Sequence, residues 1–183
     1  MSGAAPRATQ LPPSPAEHWT ADRLIASQPL EVAAAISARA SATVRLRPQW
    51  VWHRLSDPCN WTGLFEHLTL VTKSDLDLDD YTWSALGFTC KVRLTVREPP
   101  LHLAWQSDIG AEPQLSGEII LEPLEWYTRL TVRLNYVTDD PQLIHALQPL
   151  EAQLQRDVIR IAQMLESPAL ESPALERPSC EPS

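Results

Sequence analysis

Between Phe88 and Val137 apolar and polar residues alternate with period two, and the alternation is interrupted by Pro-Pro, Gly and acidic turns. In Lys91-Val92-Arg93-Leu94-Thr95-Val96-Arg97, and again in Arg129-Leu130-Thr131-Val132-Arg133-Leu134-Asn135-Tyr136, aliphatic or aromatic side chains take every second place. Charged or hydroxyl side chains fill the others, which predicts antiparallel strands with one wet face. The same reading gives strands over about 37–47, 67–73, 79–85, 88–97, 101–107, 115–124 and 127–138, seven in all. Leu143, Leu147, Leu150, Leu154, Val158, Ile161 and Leu165 then recur at steps of three and four, the stripe of one long amphipathic helix. Asp139 or Asp140 can cap its start, and Pro149 either kinks it or separates a short first turn from the main helix. A single stripe needs a single apolar surface, and the dry face of the sheet is the only one large enough.

Pro48 opens a short helix over 49–55, in which Val51, Trp52 and Leu55 share a face, and Ser56-Asp57-Pro58 stops it. A second short helix or lid-like turn carries Trp61, Leu64 and Phe65. Residues 1–14 read as a disordered leader, too rich in Pro and small side chains to offset their ordering entropy. Residues 15–36 read as a helical extension opened by the capping box Ser14-Pro15-Ala16-Glu17. Its Ala-rich end, 31–40, suits either more helix or the start of the first strand. One domain spans 37–166. The remainder, 167–183, is a disordered Pro-rich tail in which Glu166-Ser167-Pro168-Ala169-Leu170 is repeated as Glu171-Ser172-Pro173-Ala174-Leu175.

With 183 residues, 44% of them hydrophobic, the chain can build one core. A net charge of -8 opposes docking on phosphate backbones, so no nucleic-acid partner is expected. The three cysteines lack metal-ligand spacing and suggest neither a metal site nor a disulfide framework. No apolar run reaches membrane-spanning length and the N-terminus does not read as a signal peptide, which makes the cytoplasm the default location. Peripheral contact with a membrane, through Trp19 and its helix, stays open, and oligomeric state is not legible. Asp75-Leu76-Asp77-Leu78-Asp79-Asp80 begins like a calcium loop, but Asp80 stands where the turn needs Gly and Leu86 where a bidentate Glu should close the cage. It reads as a solvated acidic turn.

The order of strand, two short helices, six strands and a long last helix resembles the START-like (SRPBCC) helix-grip fold, an α+β architecture in which a curved seven-stranded antiparallel sheet wraps a C-terminal helix. Val51-Trp52 followed by Leu55-Ser56-Asp57-Pro58 is similar to the first-helix signature of its polyketide cyclase/dehydrase and lipid-transport group, and Phe65 with His67-Leu68 resembles the second helix. Trp83 through Gly87, Glu98-Pro99-Pro100, Leu103-Ala104-Trp105, Gly117-Glu118, Leu121-Glu122-Pro123, Thr128-Arg129-Leu130 and Leu134-Asn135-Tyr136 follow in order. The resemblance covers about 41–166. Thr62 stands where the pattern has a Pro, and Pro149 interrupts the last helix. The resemblance implies a cavity for an apolar or aromatic small molecule, as in coenzyme Q-binding relatives.

Such a cavity would lie between helix and sheet, because a curved sheet gripping one helix leaves space there. The cavity-lining candidates are Trp83, Trp105 and Tyr136 from the inward strand phase, Phe65 at the mouth, and Leu150, Leu154 and Ile161 from the helix. Each also suits plain core packing. The Tyr136 hydroxyl could orient a carbonyl or quinone oxygen. Among the histidines, His102 and His145 are expected to face solvent. His67 alone lies near the mouth, with no carboxylate partner visible in sequence. No catalytic set is marked and no cofactor is implied. The expectation is therefore a binder or carrier of a lipid, isoprenoid quinone or polyketide-like aromatic, with a polyketide cyclase/dehydratase and a protein-interaction module with a filled cavity as alternatives.

Overall fold

The computed structural model describes residues 33–75 and 77–167. Seven antiparallel strands form one curved sheet: β1 (Ala34–Val44), β2 (Leu68–Lys73), β3 (Asp80–Ala85), β4 (Phe88–Glu98), β5 (His102–Ser107), β6 (Gln114–Pro123) and β7 (Thr128–Thr138). Their spatial order is β1-β7-β6-β5-β4-β3-β2, so β1 crosses to pair with β7 while the rest follow by hairpins. Along β4 and β6 buried and exposed residues alternate, the two faces expected from the sequence. Leu86 and Gly87, both at positive φ, close the β3–β4 hairpin, a turn backbone that matches the twist of the flanking strands. Register shifts between Leu68 and Leu70 and between Leu94 and Val96 interrupt the ladders, and such irregularities bend strands. The curvature brings Phe88 of β4 against Tyr136 of β7, ring centroids 6.2 Å apart, although two strands lie between theirs in the sheet.

Helix α1 (Pro48–Leu55) has Pro in its first turn and buries Val51 and Leu55. A 3₁₀ turn, Pro58–Gly63, follows, its start closed by the Asp57 side chain accepting from the Cys59 amide at 3.1 Å. The expected last helix is two helices: α2 (Pro141–Leu147), capped by Asp140, and α3 (Leu150–Glu166), with Pro149 at the break. Proline carries no N–H and cannot continue the i to i−4 ladder. On α3, Leu150, Leu154, Val158 and Ile161 are buried, each stabilising the docked helix by about 1.5–3 kcal/mol of apolar burial. Leu143 and Leu147 of the same stripe are buried from α2, and Leu165 is half-buried.

α3 runs beside β1. Gln155 reaches the Ser41 carbonyl and the Glu166 carboxylate accepts from the Arg45 amide at 2.6 Å. β1 begins at Ala34, ahead of the expected start at Ser37, because Ala34 to Ile36 pair in register with Tyr136 to Thr138. Pairing, which local composition does not display, settles the ambiguous Ala-rich segment as strand from Ala34 onward. The expected helix after Ser14 and the Pro-rich tail lie outside the described residues.

Candidate functional site

The concave side of the sheet is built around four aromatic rings. Trp61 comes from the 3₁₀ turn, Phe65 from the residues just after it, Trp83 from β3 and Trp105 from β5, all between 1% and 3% exposed. Trp61 is the hub: its ring lies 5.8 Å from Phe65, 5.4 Å from Trp83 and 4.8 Å from Trp105, with interplanar angles of 61–72°. Trp83 and Trp105 are 5.5 Å apart. Tilted and edge-on pairs of this kind suit the ring quadrupoles and bury large apolar areas. Gly117, opposite Trp105 on β6, makes the arrangement possible. A Cβ there would meet Trp105 Cζ2 at 2.5 Å and the Arg133 carbonyl oxygen at 2.8 Å.

Polar atoms in this interior are unevenly satisfied. Trp61 Nε1 donates to the Leu55 carbonyl at 2.9 Å, which ties the 3₁₀ turn to the end of α1. Trp83 Nε1, Trp105 Nε1 and His67 Nδ1 are buried without a protein partner. An unsatisfied buried donor costs about 1–3 kcal/mol, and most buried polar groups in folded proteins do find one.

Beside Phe65, whose ring is 5.8 Å from the imidazole, His67 faces the carboxylate that the sequence did not reveal. Asp157 Oδ2 lies 4.0 Å from His67 Nδ1 and accepts from the Glu66 amide at 3.2 Å. Its Oδ1 accepts from Arg160 at 2.8 Å, and Arg160 also donates to the Leu64 carbonyl and to Glu66. Burial lowers the His67 pKa to about 4, which keeps the ring neutral at pH 7. Burial raises that of Asp157, opposed by the Glu66 amide and Arg160. The cluster joins α3 to the segment entering β2. Asp157 occupies a place on the apolar stripe, three residues after Leu154 and four before Ile161. A carboxylate inside such a stripe is the signal by which the sequence could have disclosed it.

The seven candidate residues are all buried: Phe65, Trp83, Trp105, Tyr136, Leu150, Leu154 and Ile161. Phe65, Trp83 and Trp105 come together through Trp61. Tyr136 does not join them; it packs edge-on to Phe88, and burial raises its hydroxyl pKa. Phe65 was expected at a mouth, yet it is 3% exposed and part of the core, because Trp61 and His67 flank it.

Away from this interior, His145 is exposed, whereas His102 is half-buried and bonded to Glu118 at 3.0 Å rather than facing solvent. In the acidic turn, Asp80 takes two hydrogen bonds from Arg93, and Asp77 lies 3.8 Å from the same guanidinium. Contrary to the cysteine reading, Cys59 takes part in a disulfide, and Cys90 is a buried free thiol. A depression of about 260 Å³ lies at one end of β5, β6 and β7, lined among others by Gln106, Gln114, Ser116 and Asn135, and it includes none of the seven candidates. Among the described residues no helix is long and apolar enough to cross a membrane, and no group of His, Cys, Asp and Glu is set to hold a metal ion.

No protein-family model matches the sequence, and no curated protein matches it significantly. Solved structures do match the fold. A structural-genomics protein of Deinococcus radiodurans is 26% identical, with 72% of this chain and 97% of that one covered and a TM-score of 0.61. The Zhui aromatase/cyclase of a Streptomyces species is 16% identical over 74% of this chain and 98% of its own, TM-score 0.57. The di-domain ARO/CYC protein BexL is 18% identical over 74% of this chain and 48% of its own, TM-score 0.53. With the sheet order and the C-terminal helix, these likenesses show that the chain has the helix-grip fold. At such identities they speak to architecture, not to activity.

Proposed function

We propose that this chain belongs to the START-like superfamily and binds a hydrophobic small molecule between the concave sheet and α3, carrying it rather than transforming it. The observation behind the reading is the aromatic interior of Trp61, Phe65, Trp83 and Trp105, in which indole N–H groups are left without protein partners. A purely structural core has no use for unsatisfied donors, whereas a binding interior needs a few polar groups set in apolar walls. Two of the structural neighbours are named as aromatase/cyclases, which supports an interior suited to aromatic molecules. The finer expectations are a lipid, isoprenoid quinone or polyketide-like aromatic as ligand, a coenzyme Q-binding-like subgroup and a cytoplasmic location.

Carriage is favoured over catalysis by how the acid–base groups are used. The Asp157 carboxylate accepts from the Glu66 amide and Arg160, so it serves to hold α3, and its 4.0 Å separation from His67 Nδ1 exceeds a hydrogen bond. The test is saturable uptake: tryptophan emission is titrated with a panel of acyl lipids, quinones and aromatic polyketides. We expect one molecule bound per chain, and loss of uptake in Leu154→Trp, which adds bulk to the interior beneath α3, with secondary structure retained by circular dichroism. Unchanged uptake in that variant would place the ligand elsewhere.

A further inference from the structure

The depression at the end of β5, β6 and β7 belongs to the wet face of the sheet: Gln106 and Asn135 are exposed, whereas Trp105 and Leu134 beside them are buried on the other face. Its floor is a patch of same-face residues from three adjacent strands. Gln106 pairs with Ser116 and Ser116 with Asn135, while Gln114 pairs with Val137 one step further on. Ser116 is the short side chain between two amides, which hollows an otherwise level row. Asp108 and the fully exposed Ile109, from the β5–β6 loop, add to the lining. We propose that this depression is a second binding site, separate from the interior, and that it takes a neutral pyranose sugar, free or at the end of a glycan.

The lining sets the class. None of its residues is a cation and only Asp108 is ionisable, so a phosphate or carboxylate ligand would meet no counter-charge. The side chains of Gln106, Gln114 and Ser116 make no hydrogen bond among the described residues. Ser37 Oγ donates to Asn135 Oδ1 at 2.8 Å, which holds that amide by its oxygen and leaves its NH₂ group for a ligand. Amides and a hydroxyl both donate and accept, and the Asp108 carboxylate accepts twice. Vicinal sugar hydroxyls also do both, so a pyranose can satisfy the whole set, with its C–H surface against Ile109 and Val137. Size and topology narrow the choice. A depression of about 260 Å³ suits a single six-membered ring, whereas pockets for drug-sized ligands run to about 1,000 Å³. An extended peptide would need an open sheet edge, and β5, β6 and β7 are each paired on both sides.

The experiment titrates the full chain with the methyl glycosides of glucose, galactose and mannose, with methyl glucuronoside, which adds a negative charge, and with glycerol, which brings hydroxyls without a ring. The side-chain amide signals of Gln106, Gln114 and Asn135 are followed by ¹H–¹⁵N NMR, and are assigned by their absence in Gln106→Leu, Gln114→Leu and Asn135→Leu. We expect at least one neutral glycoside to move these signals saturably, with a Kd on the order of 1–10 mM. Gln106→Leu and Asn135→Leu should each weaken it about fivefold, the worth of one net hydrogen bond, with circular dichroism unchanged because both positions are exposed. Cellotriose and maltotriose, run beside methyl glucoside, separate the two sources: tighter binding of a trisaccharide supports a glycan, equal binding a free sugar.

The absence of a saturable shift with every saccharide would overturn the inference, as would equal shifts with glycerol, which would reduce the depression to a surface wetted by any polyol. Tighter binding of the glucuronoside would overturn the neutral class, and unchanged affinity in both leucine variants would place the sugar elsewhere. The comparison of ligands uses the unaltered protein, so it holds even where a variant folds poorly. None of these results bears on the apolar ligand of the interior, which has its own test in uptake.

Discussion

A Cβ at Gly117 would meet both the Trp105 ring and the Arg133 carbonyl oxygen, and a methyl group has no room there. Gly117→Ala should cost about 1–3 kcal/mol by overpacking, read as a lower urea midpoint with an unchanged m-value. His67 makes a prediction about pH. Its folded pKa is near 4 against an ordinary value of 6.5, so between those values the unfolded chain binds more protons. The stability it contributes is present above pH 6.5, is lost as pH falls toward 4, and amounts to about 3 kcal/mol. Asp157, whose folded pKa is raised, acts with the opposite sign but is present in both proteins compared. Subtracting the His67→Gln stability curve from the wild-type curve should therefore leave a positive slope between pH 4 and 6.5; a flat difference would mean that His67 titrates normally. Little of this network was legible in the sequence, because its members meet across about ninety positions. Trp61, named there only as part of a short turn, is the ring that joins the others, and no local pattern distinguishes a hub from a neighbour.

At the scale of elements, α3 is held by its apolar stripe and by one buried polar anchor. Asp157→Ala removes the acceptor of the Glu66 amide and of Arg160. It should destabilise the fold by about 1–3 kcal/mol, and a double-mutant cycle with Arg160→Ala should give a coupling above 0.5 kcal/mol, since directly bonded pairs are not additive. Additive losses would mean that the ion pair is incidental. The strands were legible where one face is wet and the other dry, as in Lys91 to Arg97. The start of β1 was not, because Ala34 and Ala35 favour no period and only the ladder with β7 defines them. Pro149 was recognised as a break; that it yields two helices rather than a kink depends on how α2 and α3 each pack.

On the scale of the whole molecule, the helix-grip architecture places one concave sheet against one long helix, with Trp61, Phe65, Trp83 and Trp105 on the inside. The alternation of residues conveys this plan well, since it follows from burial alone. It does not convey what the interior holds, because a ring that packs against a ligand and a ring that packs against another ring look alike in sequence. The central claim is that a small apolar molecule occupies this interior, and the most direct test is native mass spectrometry of the freshly purified chain, followed by solvent extraction of whatever accompanies it. We predict a mass excess of a few hundred daltons, on the order of one drug-sized ligand, lost on extraction and recovered as an apolar compound. Bare protein that also takes up nothing from a lipid and quinone panel would contradict the account and point to a filled interior serving protein interaction.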